Sequence, residues 1–147
     1  MRVLCLAGTS PGVVTETLYA LAIARGEQIT HLHILTTSRG KERMETSLPG
    51  ALAAMRADYP EHASNLPEEP LIEAIKDREG NPLEDISTSA QSAIAGDRIL
   101  TLVRIYTDPT HARLHASLAG GRKTMSYYMG MAMAMCARAE DELSHVL

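Results

Sequence analysis

Residues 3–7 read Val-Leu-Cys-Leu-Ala, an unbroken apolar run that stops at Gly8-Thr9-Ser10-Pro11-Gly12. A strand with one face in water alternates apolar and polar residues, whereas a run that does not alternate is buried on both faces. A chain that opens with such a strand must supply helices for two sides of a sheet. The next residues do so. Over residues 13–25, Val14, Leu18, Leu21 and Ala22 recur at helical spacing, and Gly26 stops the pattern. Residues 29–36 read as a second strand, and Thr37 or Ser38 can cap a helix running to residue 44. Leu48-Pro49-Gly50 is expected to break that helix, which resumes over residues 51–58.

Residues 59–70 hold three prolines and three glutamates and read as a loop. A weaker strand spans 71–75, where Glu73 interrupts apolar neighbours, and residues 77–82 have turn chemistry. Ser87-Thr88-Ser89 caps a long helix that runs to Tyr106 and is closed by Asp108-Pro109. Residues 114–119 are the next strand, 123–138 a helix and 143–147 a last strand. Strand and helix alternate throughout. That pattern predicts an α/β fold, doubly wound, with a mostly parallel sheet and helices on both faces. The 147 residues suit one domain.

Composition excludes several functions. A net charge of −4 argues against a duplex DNA binder, which needs a basic face, so an anionic ligand would have to be met by a local cluster. With five Tyr, no Trp and no Phe, the chain cannot build the aromatic stacking surfaces of common RNA-binding modules. Cys5 and Cys136 lie in apolar runs and read as buried thiols in a reducing compartment. No stretch is long and apolar enough for a membrane span, and the first apolar run is too short for a signal peptide. The expected location is the cytoplasm, with no membrane partner.

In a doubly wound sheet of order 3-2-1-4-5 the first and fourth strands are neighbours, and ligands bind beyond their carboxyl ends. The two glycine-rich loops would face each other there: Gly8-Thr9-Ser10-Pro11-Gly12 and Gly120-Gly121-Arg122-Lys123-Thr124. Each opens a helix, and free N–H groups at a helix start favour an anion. Thr9 or Ser10 is expected to cap the first helix, with Pro11 at its first position. Neither loop is a familiar nucleotide motif. The first lacks G-x-G-x-x-G spacing, and Ala116 stands where a P-loop would need its first glycine. Thr36-Thr37-Ser38-Arg39 offers no carboxylate to a ribose, so no dinucleotide or other cofactor is expected.

His31 and His33 alternate on one strand and could be metal ligands, but no third ligand is evident. They read, like His115 and His145, as hydrogen-bonded core histidines, and no metal is expected. The last helix carries Met125, Tyr128, Met129, Met131, Met133 and Met135 and is apolar nearly all round. One side should pack on the sheet and another on a second subunit.

Four segments together carry a family likeness: G-T-S-P-G-V-V-T-E-T-L at 8–18, T-T-S at 36–38, A-G-G-R-K-T-M-S at 119–126 and L-S-H-V-L at 143–147. With them the chain resembles the CARF domain, the CRISPR-associated Rossmann-like fold that senses cyclic oligoadenylate in type III CRISPR defence. The resemblance runs over residues 1–147. It implies a homodimer whose two-fold axis passes through the ligand site. Some members only sense the ring and switch an attached effector, while the ring nucleases cut it. Family chains usually continue past the L-S-H-V-L strand, which implies a C-terminal shortening here. Under this likeness Lys123, with Ser10 or Thr9, would be catalytic. Gly8, Pro11, Gly12, Thr37, Ser38, Gly120, Gly121, Arg122, Thr124 and Met125 would bind the ligand, expected to be cyclic tetra-adenylate. With no Asp, Glu or His in either loop, cleavage should be slow, metal-independent and weakly sensitive to pH.

Overall fold

The structure, a computed structural model, describes residues 1–145. Strand β1 (Arg2–Leu6) is followed by helix α1 (Gly12–Leu18), which runs into a π-helical turn (Tyr19–Ala24). Then come β2 (His31–Thr36), α2 (Ser38–Asp58), a 3₁₀ helix (Pro60–Asn65) and β3 (Leu71–Ala74). The second half holds α3 (Ser89–Tyr106), β4 (Leu114–Ser117), α4 (Lys123–Cys136) and β5 (Glu142–Ser144). The five strands form one all-parallel sheet in the order β3-β2-β1-β4-β5. This is the expected Rossmann-like, doubly wound α/β architecture.

β1 lies at the centre, with Leu6 opposite Leu35 on one side and Cys5 opposite Ser117 on the other. Its apolar run divides between two cores. Val3, Cys5 and Ala7 pack with Val14 and Leu18 of α1 and with Met44, Leu48 and Leu52 of α2. Leu4 and Leu6 pack with Ile99 and Leu102 of α3 and with Met125 and Met129 of α4. Thr88 caps α3 through a capping box with Gln91, which fixes where that helix begins. Cys5 is buried, and burial pushes its thiol up to about 12; Cys136 is half-buried.

Several local expectations are corrected. Pro49 does not break α2. Gly40, Met44, Leu48 and Leu52 step by four across it and are all buried, while Pro49 and Gly50 face solvent. Burying the three large side chains contributes roughly 1.5–3 kcal/mol each, more than the ~3 kcal/mol that an interior proline costs. The first helix loosens into a π-helical turn, which turns the consecutive residues Leu21, Ala22 and Ile23 inward before Gly26, at φ 67°, ends it. The loop expected over residues 59–70 contains the 3₁₀ helix. β2 begins two residues later than predicted, β4 ends at Ser117 and α4 at Cys136. β5 starts one residue earlier than predicted, and the last two positions of the predicted strand, Val146 and Leu147, lie outside the described residues.

Two acidic residues fasten the edge strands. Glu73 of β3 accepts two hydrogen bonds from Arg98, at 2.6 and 2.7 Å, and lies 3.1 Å from His33 Nε2. Burial alone would raise its carboxyl, but the contacts from His33 and Arg98 prevail and hold it at about 2. Glu142 of β5 is held at about 2, chiefly by the Arg25 hydrogen bonds against a smaller desolvation, with Arg113 adding to the effect. His33 and His115 are buried and hydrogen-bonded, to Tyr106 and Ser144 respectively. His31 is exposed, and so is His145 just past β5, which corrects their reading as core residues.

Candidate ligand site at the strand carboxyl ends

The site is built where backbones approach too closely for side chains. A Cβ on Gly120 would lie 2.9 Å from Ala7 Cα and nearer still to Leu6 O, so the β4–α4 loop presses directly on the end of β1. Gly121 sits at φ 80°, a left-handed conformation that turns the chain into α4. The Cβ direction of Gly8 points 3.8 Å from Gly121 N, so the two glycine-rich loops touch. A third element joins them. A Cβ on Gly40, in the first turn of α2, would collide with Thr36 Oγ1 and lie 2.7 Å from Gly8 O. Thr36 Oγ1 donates to Gly8 O, and Thr37 caps α2 by accepting from Gly40 N.

These loops enclose a cavity of about 300 Å³. Among the residues expected at the site, Gly8, Thr9, Thr37, Gly121, Arg122 and Met125 line it. Ala7, Arg39, Glu84 and Asp85 complete the wall. Ser10, Pro11, Gly12, Ser38, Gly120, Lys123 and Thr124 are close in sequence but are not part of that lining. Ser10, Lys123 and Thr124 are exposed, and among the described residues Lys123 has no ion-pair partner. Neither Thr9 nor Ser10 caps α1. Pro11 itself takes the N-cap position in helical conformation, and its carbonyl accepts from Val14 N and Thr15 N, closing the first turn without a side chain. No side chain caps α4 either; Met125 N donates back to Arg122 O at 2.8 Å, and among the described residues the Lys123 and Thr124 N–H groups have no partner.

Arg122, expected to bind the ligand, is already paired. Arg122 Nε–H donates to Asp85 Oδ1 at 2.9 Å, and its Nη2–H donates to Oδ2. That fork, followed by the Ile86 N–H, holds the Asp85 carboxyl below its usual range. Beside it, Arg39 donates to Glu84 at 3.2 Å. Both carboxylates stand on the loop between β3 and α3. Leu83 and Ile86 anchor that loop in the core, and Leu83 O accepts from Ser38 N at 2.8 Å. The sequence carried one sign of this arrangement: two apolar residues flank Glu84-Asp85 in a stretch otherwise made for turns. Among the described residues no group of three or more His, Cys, Asp or Glu side chains is arranged to hold a metal ion.

A larger cavity of about 560 Å³ lies between α2 and residues 68–72, over Leu48, Leu52 and Leu71. Its cations are engaged elsewhere, Lys41 by Ile72 O and Glu45 and Arg56 by Pro67 O, so it converges no free donors. On α4, Met125, Met129 and Met133 are buried, whereas Tyr127, Met131 and Met135, four residues apart, are exposed by 63%, 44% and 70%. The helix is therefore half core and half unpartnered apolar stripe. No helix in the described residues is long and apolar enough to cross a membrane.

The profile of the family described as CRISPR-associated protein NE0113 matches residues 10–147. No curated protein matches the chain.

Proposed function

The chain belongs to the CRISPR-associated protein NE0113 family, and on that premise we propose that it binds a cyclic oligoadenylate between two copies of itself and cuts the ring, ending a type III CRISPR signal in the cytoplasm. The contact of the Gly8 and Gly121 loops over one cavity, at the carboxyl ends of adjacent strands β1 and β4, carries this reading. At about 300 Å³ the cavity has the size of a small-molecule pocket and takes about one nucleotide. A ring of several nucleotides must then extend beyond one chain, and a second copy related by a two-fold axis supplies the same loops again. The stripe of Tyr127, Met131 and Met135 is the surface such a copy would cover.

Cleavage needs no metal, because RNA carries its own nucleophile. The 2′-oxygen bonds to the neighbouring phosphorus as the bond to the 5′-oxygen breaks. The 2′-proton passes to solvent and the leaving 5′-oxygen takes one up. The products are a 2′,3′-cyclic phosphate and a 5′-hydroxyl. Thr9, which lines the cavity, or Ser10 would orient the ribose, and Lys123 would stabilise charge on the phosphoryl oxygens. A second reading, a domain that binds the ring without cutting it, is favoured by one observation: Lys123 and Ser10 do not line the cavity. Incubation with radiolabelled cyclic tetra-adenylate in EDTA separates the two. The expected result is slow cleavage that is retained in EDTA and abolished in Lys123→Ala. Binding without cleavage leaves the sensor, and a ring neither bound nor cut refutes both.

A further inference from the structure

We propose that Asp85, seconded by Glu84, makes this site selective for phosphodiesters over terminal phosphates; the proposal rests on the cyclic-oligoadenylate reading above. The two guanidinium groups in the cavity wall, Arg39 and Arg122, each meet a carboxylate there. The wall is therefore close to neutral where two free arginines would have made it doubly positive. Asp85 takes Nε–H and one Nη2–H of Arg122, so three of the five guanidinium hydrogens remain for a ligand. The arginine is held in place for a phosphoryl oxygen, but its charge is already matched.

Asp85 is held in place, while Glu84 beside it is exposed. Leu83 and Ile86 are buried on either side of them, Leu83 is hydrogen-bonded to Ile75 and Ser38, and Ile86 N–H donates to Asp85 Oδ1 at 2.7 Å. A phosphodiester brings one negative charge, which the remaining Arg122 donors can meet. A terminal phosphate carries close to two charges at neutral pH. The second charge would sit against Asp85 and Glu84, and Lys123, the cation beside Arg122 that has no ion-pair partner among the described residues, does not line this wall. A closed ring has only diesters. A linear oligoadenylate ending in a phosphomonoester does not, and it is the species this wall disfavours.

Calorimetric titration with four probes tests the proposal: cyclic tetra-adenylate, linear tetra-adenylate with a 5′-hydroxyl, the same strand with a 5′-phosphate, and inorganic pyrophosphate. Wild type should prefer the 5′-hydroxyl strand to the 5′-phosphorylated one. Asp85→Asn should raise affinity for the 5′-phosphorylated strand and for pyrophosphate about fivefold more than for the other two probes. Glu84→Gln, at an exposed side chain that folding does not need, should shift the same two probes in the same direction by about twofold. Equal weakening of all four probes in Asp85→Asn would mean that Asp85 only orients Arg122, and the proposal falls. It falls too if neither variant gains affinity for pyrophosphate or the 5′-phosphorylated strand. If wild type ignores the ring while Asp85→Asn gains pyrophosphate binding, the ring reading fails and the charge selectivity stands.

Discussion

Replacing Gly120 by alanine should cost more stability than a loop substitution usually does. The new Cβ would lie 2.9 Å from Ala7 Cα, where ordinary contact begins at 3.4 Å, and it would be closer still to Leu6 O. Backbone must therefore move by at least about 0.5 Å, and both opposing atoms belong to the central strand and its extension. Ala7 N is bonded to Leu35 O and β1 is paired on both sides, so the sheet resists the displacement. Overpacking against such a wall costs about 1–3 kcal/mol, and the backbone nature of the contact puts the expectation at the upper end. For a chain of this size that is a fall in Tm of roughly 6–12 °C. Two further glycines calibrate the result. Gly121→Ala meets only the flexible end of Met125 but must hold a left-handed conformation, at about 1–2 kcal/mol. Gly50→Ala, in open space on α2, should stabilise by about 0.5–1 kcal/mol. Thermal and urea unfolding followed by circular dichroism would give the order. A Gly120→Ala melt within about 1 °C of wild type, or below neither of the other two, would refute the argument from close approach.

Glu73 has a native carboxyl near 2 against an unperturbed 4.5, so its contribution is complete above pH 4.5 and is lost as the pH falls towards 2. Glu73→Gln should cost about 1–2 kcal/mol at pH 7 and almost nothing at pH 2, as read from urea midpoints across that range; a pH-independent difference would assign the effect to packing. If two copies pair through the exposed stripe of α4 as proposed, Met131→Glu, which places a charge there, should give a monomer in sedimentation where wild type gives a dimer, with the melting temperature of the monomer nearly unchanged. A mass unaltered by the substitution would refute the stripe as an interface.

The layout of the chain was legible because its signals are local. The unalternating run of β1, the stop at Gly26 and the cap candidates Ser87-Thr88-Ser89 each announce one element within a few residues. The strand order is then the one a doubly wound sheet takes. Pro49 misled because the helix is decided by three side chains buried on the opposite face, a tertiary effect that outweighs a local rule. The glycine loops were found for a similar reason, since two short motifs opening helices needed only the topology to bring them together. The ion pairs in the cavity wall were not legible. Arg122 and Asp85 are 37 residues apart, and nothing near either one names the other. Arg122 reads as free until the β3–α3 loop is seen to fold back over it.

The fit of Gly40 against Gly8 O leaves α2 no slack at its amino end. A displacement of the Gly8 carbonyl towards α2 by more than a few tenths of an ångström would press on the helix that abuts it. That helix has 21 residues, a rod of about 31 Å. A small recoil at one end of such a rod becomes a swing at the other, so a shift of the Gly8 loop towards α2 would be carried to the far end at Asp58.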